Sequence, residues 1–270
     1  AGALAGAFAA CGGRDPLGTP VARALGNLLS GPEEWTEQVL EQPGFLDALV
    51  SSLSLEASQN GTAVREAAWA AANLCAHHSR RPQLAHSRLT GALAALAKGG
   101  AVDLRREACV GLYNMVSDKD PDFLQHVMNF DILSAFLELL KVPDNDIIRC
   151  SLMFITVVLQ EYPNGALLVE SLGGIELIDD IHYSSQMETE IAAYAGHLID
   201  EFYGEEYDDS NSPNVVGHSS TNNVLTGIDF TAIGNANHIS SLPPPPPGAG
   251  RGRGMVQPAW MTQQQQQQGH

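Results

Sequence analysis

From residue 1 to about residue 209, apolar side chains return every three or four positions in short bursts broken by Gly, Pro or Asp. That spacing is the signature of amphipathic helices, and the period-two alternation of a half-buried strand is almost absent. The bursts come in sets. A short helix over residues 33–41 leads into Pro43-Gly44, and a second apolar helix over 45–55 follows. A longer third helix then closes the set. Elsewhere Gly173-Gly174 marks the same turn, residues 132–140 form a second helix, and residues 188–203 form a last third helix. The pattern stops near residue 210. Beyond it come Asn, Ser and Thr runs, then Pro243 to Pro247, Arg251-Gly-Arg-Gly254 and Gln263 to Gln268. Such a composition cannot bury a core, so residues 210–270 read as a disordered low-complexity tail.

The third helices repeat one another. Thr19-Pro-Val-Ala-Arg-Ala-Leu-Gly-Asn27, Arg65-Glu-Ala-Ala-Trp-Ala-Ala-Ala-Asn73, Arg106-Glu-Ala-Cys-Val-Gly-Leu-Tyr-Asn114 and Ile148 to Val157 end 46, 41 and 43 positions apart. A period of about 42 belongs to armadillo or HEAT solenoids. One such unit cannot cover its own apolar face, so neighbours must stack. Small residues (Ala67, Ala68, Ala71, Ala108, Gly111) should let successive third helices approach closely.

Composition narrows the function. Against 14 Lys plus Arg stand 31 Asp plus Glu, a formal charge of -17. This balance disfavours nucleic acid and anionic membrane and favours basic partners. The imbalance is local as well, since no Lys or Arg lies between Cys150 and Gly250. Acids are densest at Asp200, Glu201, Glu205, Glu206, Asp208 and Asp209, which read either as a solvated face or as a docking patch for a basic surface. The four cysteines are isolated in apolar contexts, which fits reduced, buried thiols and a cytosolic or nuclear compartment. No apolar run reaches the roughly 20 residues that span a bilayer. The opening Ala1-Gly-Ala-Leu-Ala-Gly-Ala-Phe8 reads as a helix entered midway, as in a fragment.

One face of the third helices carries the candidate site. Glu66, Trp69 and Asn73 are spaced by three and four, so they share a face. Glu107, Val110 and Asn114 repeat that spacing one period later, and Arg23 and Asn27 supply its second half one period earlier. An Asn side chain offers one acceptor and two donors, matching an extended backbone. A Trp face attracts a Lys or Arg cation, and Glu adds complementary charge. The ligand implied is an extended, Lys- and Arg-rich peptide. A packing role stands beside this reading: Trp on a helix is commonly core, and Asn can bridge to the next repeat. Three Asn in register favour the ligand, because Asn is a mediocre helix former.

At these residues the sequence resembles importin-α, the adaptor that carries nuclear localisation signals. The likeness covers about residues 1 to 209. It is strongest at Thr19-Pro…Arg23…Asn27-Leu-Leu-Ser-Gly31, Arg65-Glu-Ala-Ala-Trp69…Asn73, Glu170-Ser-Leu-Gly-Gly174 and Leu198-Ile-Asp-Glu-Phe-Tyr-Gly-Glu-Glu206. The resemblance implies an all-α, right-handed armadillo superhelix of about four and a half repeats, the family's sixth to tenth, over residues 1–209. It implies a minor signal-binding site at Arg23, Asn27, Glu66, Trp69, Asn73, Glu107 and Asn114. It implies a contact with the recycling exportin and RanGTP at Glu205, Glu206, Asp208 and Asp209, and residence in cytoplasm and nucleus. The family's importin-β-binding segment and first five repeats have no counterpart here, so importin-β would bind only through a segment outside this sequence. Val110 stands where the eighth repeat should have a second Trp, which implies a weaker site. Val157 replaces the next Asn. Arg88 and Asp131 stand where Gly is expected between first and second helices, so those turns should be rebuilt.

Other chemistry is thinly represented. His77 and His78 point about 100° apart on a helix and make a poor chelate. No HExxH, GxSxG, P-loop or GxGxxG pattern occurs, so neither a cofactor nor an enzyme is expected. Two classes remain, a transport adaptor and an armadillo scaffold without transport function, and they differ in whether the Asn stripe binds basic peptides.

Overall fold

The computed structural model describes residues 1–11, 17–54, 61–77, 79, 83–84 and 87–204 of the 270. Thirteen helices lie among them: α1 (Gly2–Cys11), α2 (Gly18–Leu29), α3 (Glu33–Leu40), α4 (Phe45–Ser52), α5 (Gly61–Cys75), α6 (Arg88–Gly99), α7 (Val102–Val116), α8 (Pro121–Met128), α9 (Leu133–Leu139), α10 (Asn145–Glu161), α11 (Gly165–Ser171), α12 (Gly174–His182) and α13 (Thr189–Tyr203). The expected tail over 210–270 and the acidic run at Glu205, Glu206, Asp208 and Asp209 lie outside the described residues.

The third helices α2, α5, α7, α10 and α13 pack in chain order, each against the next, and α1, α4, α6 and α9 do the same in a second layer. The apolar interior is one continuous cluster running from Ala5 and Phe8 of α1 to Leu198 of α13. Between α9 and α10 the rings of Phe136 and Phe154 stack at 3.7 Å, both fully buried. A fully buried side chain of this size contributes about 1.5–3 kcal/mol.

Local sequence sets the breaks. Asp144 caps α10 by accepting from the N–H groups of Asp146 and Ile147 at 3.1 and 3.0 Å. Asp120 caps α8 in the same way, with Pro121 at the first helical position. Gly44 (φ 77°) and Gly173 (φ 70°) supply the left-handed residue between first and second helices. Asp131 corrects the expectation of a rebuilt turn, because it adopts φ 54° and keeps the same corner without glycine. Before Arg88 the connection does differ: Ser87 is extended and its hydroxyl accepts from the Leu89 N–H at 3.2 Å. The helices also start or stop a residue or more inside the expected bounds. Glu188 is the cap of α13 rather than its first residue, and α4 ends at Ser52.

The small residues act as expected. A Cβ on Gly111 of α7 would lie 3.4 Å from the Ala72 Cα and 3.1 Å from Leu93 Cδ1, so helices α5, α6 and α7 meet closely there. Cys75, Cys109 and Cys150 are buried free thiols, and burial pushes the Cys150 thiol up to about 12.

Candidate functional site

Two of the candidate residues form a clasp. Arg23 of α2 donates from Nη2 to Glu66 Oε1 of α5 at 2.5 Å, while Arg65 Nη2 stands 3.9 Å from the same oxygen. Glu66 is completely buried, so a carboxylate at that depth depends on these cations. Its second oxygen, Oε2, has no hydrogen-bond partner.

Trp69 does not stand free in a groove. It is 3% exposed, and its ring lies across Gly26 of α2. A Cβ added to Gly26 would fall 2.2 Å from two of the ring carbons. Glycine at 26 is therefore the seat of the ring.

The asparagines correct the expectation of open amides. Asn73 donates from Nδ2 to the Gly26 carbonyl at 2.9 Å, and Asn114 donates from Nδ2 to the Ala72 carbonyl at 3.0 Å. Each amide thus reaches the residue just before the preceding Asn position, and both side chains are completely buried. The bridge to the neighbouring repeat, weighed above as a packing role, accounts for the donor half of each amide. The acceptor half is left over: Asn73 Oδ1 and Asn114 Oδ1 have no partner. Asn27 is exposed and lines a cavity of about 410 Å³ with Thr19, Pro20, Arg23, Ala24 and Thr62.

Glu107 is part-buried on α7. Burial pushes its carboxyl up to about 7 against the pull of Arg106 and Arg65, and Asp103 and Glu66 add to the rise. Val110 and Val157, in the places of a ring and an amide, are both buried. By register Ala72 is to α7 what Gly26 is to α5, so a residue with a methyl group stands at the position that glycine holds beneath Trp69.

A further element escaped the sequence reading. Arg65 approaches Asp103 at 3.8 Å, Arg106 approaches Asp144 and Asp146 at 3.9 and 3.7 Å, and Arg149 approaches Glu188 at 2.9 Å. In each case an arginine near the start of one third helix reaches an acid at the start of the next. The signal was present as arginines at 65, 106 and 149, each followed by an acid 38 or 39 positions later. Asp103, Asp144, Asp146 and Glu188 of this edge thus each lie within ion-pair distance of an arginine of the chain itself.

The histidines read as structure. His77 Nε2 lies 2.7 Å from the Leu29 carbonyl and is buried, and His78 lies outside the described residues. Among the described residues no group of three or more His, Cys, Asp or Glu forms a metal-type cluster, and no helix is long and apolar enough to cross a membrane.

No family model matches the chain. Over 204 residues it is 29% identical to importin subunit alpha-2 of Oryza sativa subsp. japonica, covering 70% of this chain and 38% of that protein. Over 202 residues it is 26% identical to importin subunit alpha-9 of Arabidopsis thaliana, with the same coverage of 70% and 38%. The chain thus spans less than two fifths of the length of these curated relatives. Among solved structures it is similar to a computationally designed armadillo repeat protein for modular peptide recognition, with a TM-score of 0.59, 18% identity and coverage of 68% of this chain and 75% of that one. A designed armadillo repeat protein in complex with the peptide (KR)4 gives a TM-score of 0.58, 19% identity and coverage of 68% and 74%. The fold is an all-α armadillo-repeat solenoid, and the likeness to importin-α read from the sequence is borne out by the curated relatives. None of the four is named as an enzyme.

Proposed function

We propose that this chain is a transport adaptor of importin-α type, whose third-helix layer holds a basic nuclear localisation signal in extended form. The supporting observation is a set of acceptors without donors: Glu66 Oε2 and Asn73 Oδ1 on α5 and Asn114 Oδ1 on α7, the next third helix of the layer. Leaving a buried polar atom unsatisfied costs about 1–3 kcal/mol, so the set favours a ligand that brings N–H groups and cations. An extended Lys- or Arg-rich backbone brings both. Trp69 shares the helix face of Glu66 and Asn73, with its ring packed on Gly26. Arg23, Asn27, Glu66, Trp69, Asn73, Glu107 and Asn114 form the proposed site, which Val110 leaves with one ring instead of two.

Fluorescence anisotropy with a labelled signal peptide tests this. Asn73→Ala and Trp69→Ala should weaken binding several-fold while circular dichroism shows the helices intact. Absence of any salt-sensitive binding by a folded chain would refute the adaptor reading and leave the armadillo scaffold. The acids Glu205, Glu206, Asp208 and Asp209 are the proposed contact for the recycling exportin with RanGTP. Deleting residues 205–209 should weaken a pull-down with that pair, and an unchanged pull-down would count against the contact. Importin-β enters only through a segment not in this sequence. The adaptor reading carries residence in both cytoplasm and nucleus, to be checked by imaging a tagged chain.

A further inference from the structure

We infer that residues 251–260, Arg251-Gly-Arg-Gly-Met-Val-Gln-Pro-Ala-Trp260, dock on the outer face of α12 and α13 and close that end of the stack. Arg251 and Arg253 meet Asp179 and Asp200 there, and the Trp260 ring covers Ile199 and Phe202. This contact is separate from the peptide-holding layer and does not depend on it.

The last repeat superposes in register on the one before it. Asp144 caps α10 and Glu188 caps α13, while Asp131 and Gly173 hold the left-handed corners before α9 and α12. In that register Phe136 matches Ile178 and Phe154 matches Leu198, and all four are buried. The side toward the next repeat differs. Leu137 of α9 meets its successor, with Cδ2 3.1 Å from where a Cβ on Gly174 of α12 would lie. Thr156 of α10 lies 2.7 Å from the Tyr194 hydroxyl of α13. The counterparts of Leu137 and Thr156 are Asp179 and Asp200. Ile155 and Val158 are fully buried, whereas their counterparts Ile199 and Phe202 are half-buried.

Two carboxylates thus stand where side chains of the preceding repeat hold their successor. Burying them without cations is costly, so the face suits a cationic cover better than a further repeat. It also keeps an apolar strip, and the end of a repeat stack needs such a surface covered. Among the described residues neither Asp179 nor Asp200 makes an ion pair. Arg149, the last Lys or Arg of the described chain, is engaged by Asp146 and Glu188.

Charge complementarity selects the occupant from residues 205–270, which lie outside the described residues. After Arg149 the next Lys or Arg are Arg251 and Arg253, with Met255, Val256 and Trp260 close behind. The apolar burst at residues 224–233 carries Asp229 and no Lys or Arg, so like charge sets it against this face. In an extended segment residues two apart share a side and stand about 7 Å apart. Arg251 and Arg253 would then point together, with Gly252 leaving the backbone free to approach. An arginine also stacks on a ring such as Phe202. A random chain as long as residues 205–250 spans about 35–40 Å, and Phe202 lies two residues before Gly204, so the reach suffices.

Fluorine-19 NMR of the full chain carrying 5-fluorotryptophan tests the docking. The tryptophans are Trp35, Trp69 and Trp260, and Trp260→Phe assigns the third signal. In the wild type the Trp260 signal should lie away from the free-indole position at every protein concentration. The pair Asp179→Asn and Asp200→Asn, the pair Arg251→Gln and Arg253→Gln, and about 0.5 M salt should each lower the docked fraction several-fold, with the Trp69 signal and helical circular dichroism unchanged. Exchanging the charges (Asp179→Arg and Asp200→Arg with Arg251→Asp and Arg253→Asp) should restore the docked signal. A free signal in the wild type, or a shifted one that the Asp179 and Asp200 changes leave in place, would overturn the inference. Release of Trp260 by a (KR)4 peptide but not by those changes would put the segment in the peptide-holding layer and equally overturn it. A shift that grows with protein concentration would assign the contact to a second copy and defeat docking within one chain.

Discussion

Replacing Gly26 with alanine sets a methyl group where the Trp69 ring already lies. The Cβ would stand 2.2 Å from Cε3 and Cζ3 of the ring and 3.1 Å from Cδ2. Carbon atoms in contact sit about 3.5–4.0 Å apart, so the ring must retreat by more than about 1 Å. Trp69 is almost wholly buried and has little room to move. Overpacking of this kind costs about 1–3 kcal/mol, and displacement strains the Asn73 bond to the Gly26 carbonyl, worth about 1 kcal/mol. Alanine returns about 1 kcal/mol through helix propensity. The net loss for Gly26→Ala is about 2 kcal/mol. Trp69→Val alone removes a buried ring and should cost about 3–4 kcal/mol. The double variant recreates the Ala72 and Val110 pair found one repeat later, with the new methyl filling space the ring has left. It should therefore lose only about 3 kcal/mol, a coupling of about 2–3 kcal/mol across the cycle. Urea unfolding of the four proteins, followed by helical circular dichroism, measures it. If the two single losses add to within about 0.5 kcal/mol, the ring does not rest on Gly26.

The converse change, Val110→Trp, should destabilise the chain by about 2 kcal/mol and fail to strengthen peptide binding, while adding Ala72→Gly should recover most of the loss; unfolding and anisotropy read both. Glu107 gives a pH dependence of stability. Its carboxyl is raised from 4.5 to about 7 on folding, so the folded chain holds a proton that the unfolded chain sheds. This contribution is present below about pH 4.5 and is lost as pH rises toward 7. Glu107→Gln should match the wild type near pH 4 and exceed it by about 2–3 kcal/mol at pH 8 in denaturant titrations. Asp131→Gly should stabilise by about 0.5–1 kcal/mol, since φ 54° suits glycine and the lost contact to Lys98 at 3.8 Å is exposed; a lowered melting temperature would contradict this.

The fold was legible because a period near 42 and three-to-four spacing are properties of the chain itself. Turn chemistry was less so: Gly44 and Gly173 announce a left-handed residue, whereas Asp131 takes the same conformation without the glycine signal. The site was legible in its register but not in its orientation. Asn73 and Asn114 were found by recurrence, yet recurrence cannot tell an amide aimed at a ligand from one aimed at the carbonyl of the helix before it. The bonds to Gly26 and Ala72 show that the same side chain does structural work with its nitrogen and leaves its oxygen over. Val110 looked like a missing ring, and its register partner Ala72, in the place of Gly26, is distant in sequence and unremarkable in composition. The Arg65, Arg106 and Arg149 contacts were present as spacings but hidden among ordinary surface charges.

The amide bridges bear on how the stack answers force. Each ties one third helix to the backbone of its predecessor across more than forty residues of chain, and the arginine contacts tie the starts of the same helices. Bending that opens this layer must break such ties one step at a time, while the opposite layer is joined between helices by apolar contact and by exposed pairs such as Arg88 with Asp47. Pulled from its ends, the stack should lengthen in discrete increments, and its compliance should rise at the step whose amide has been removed.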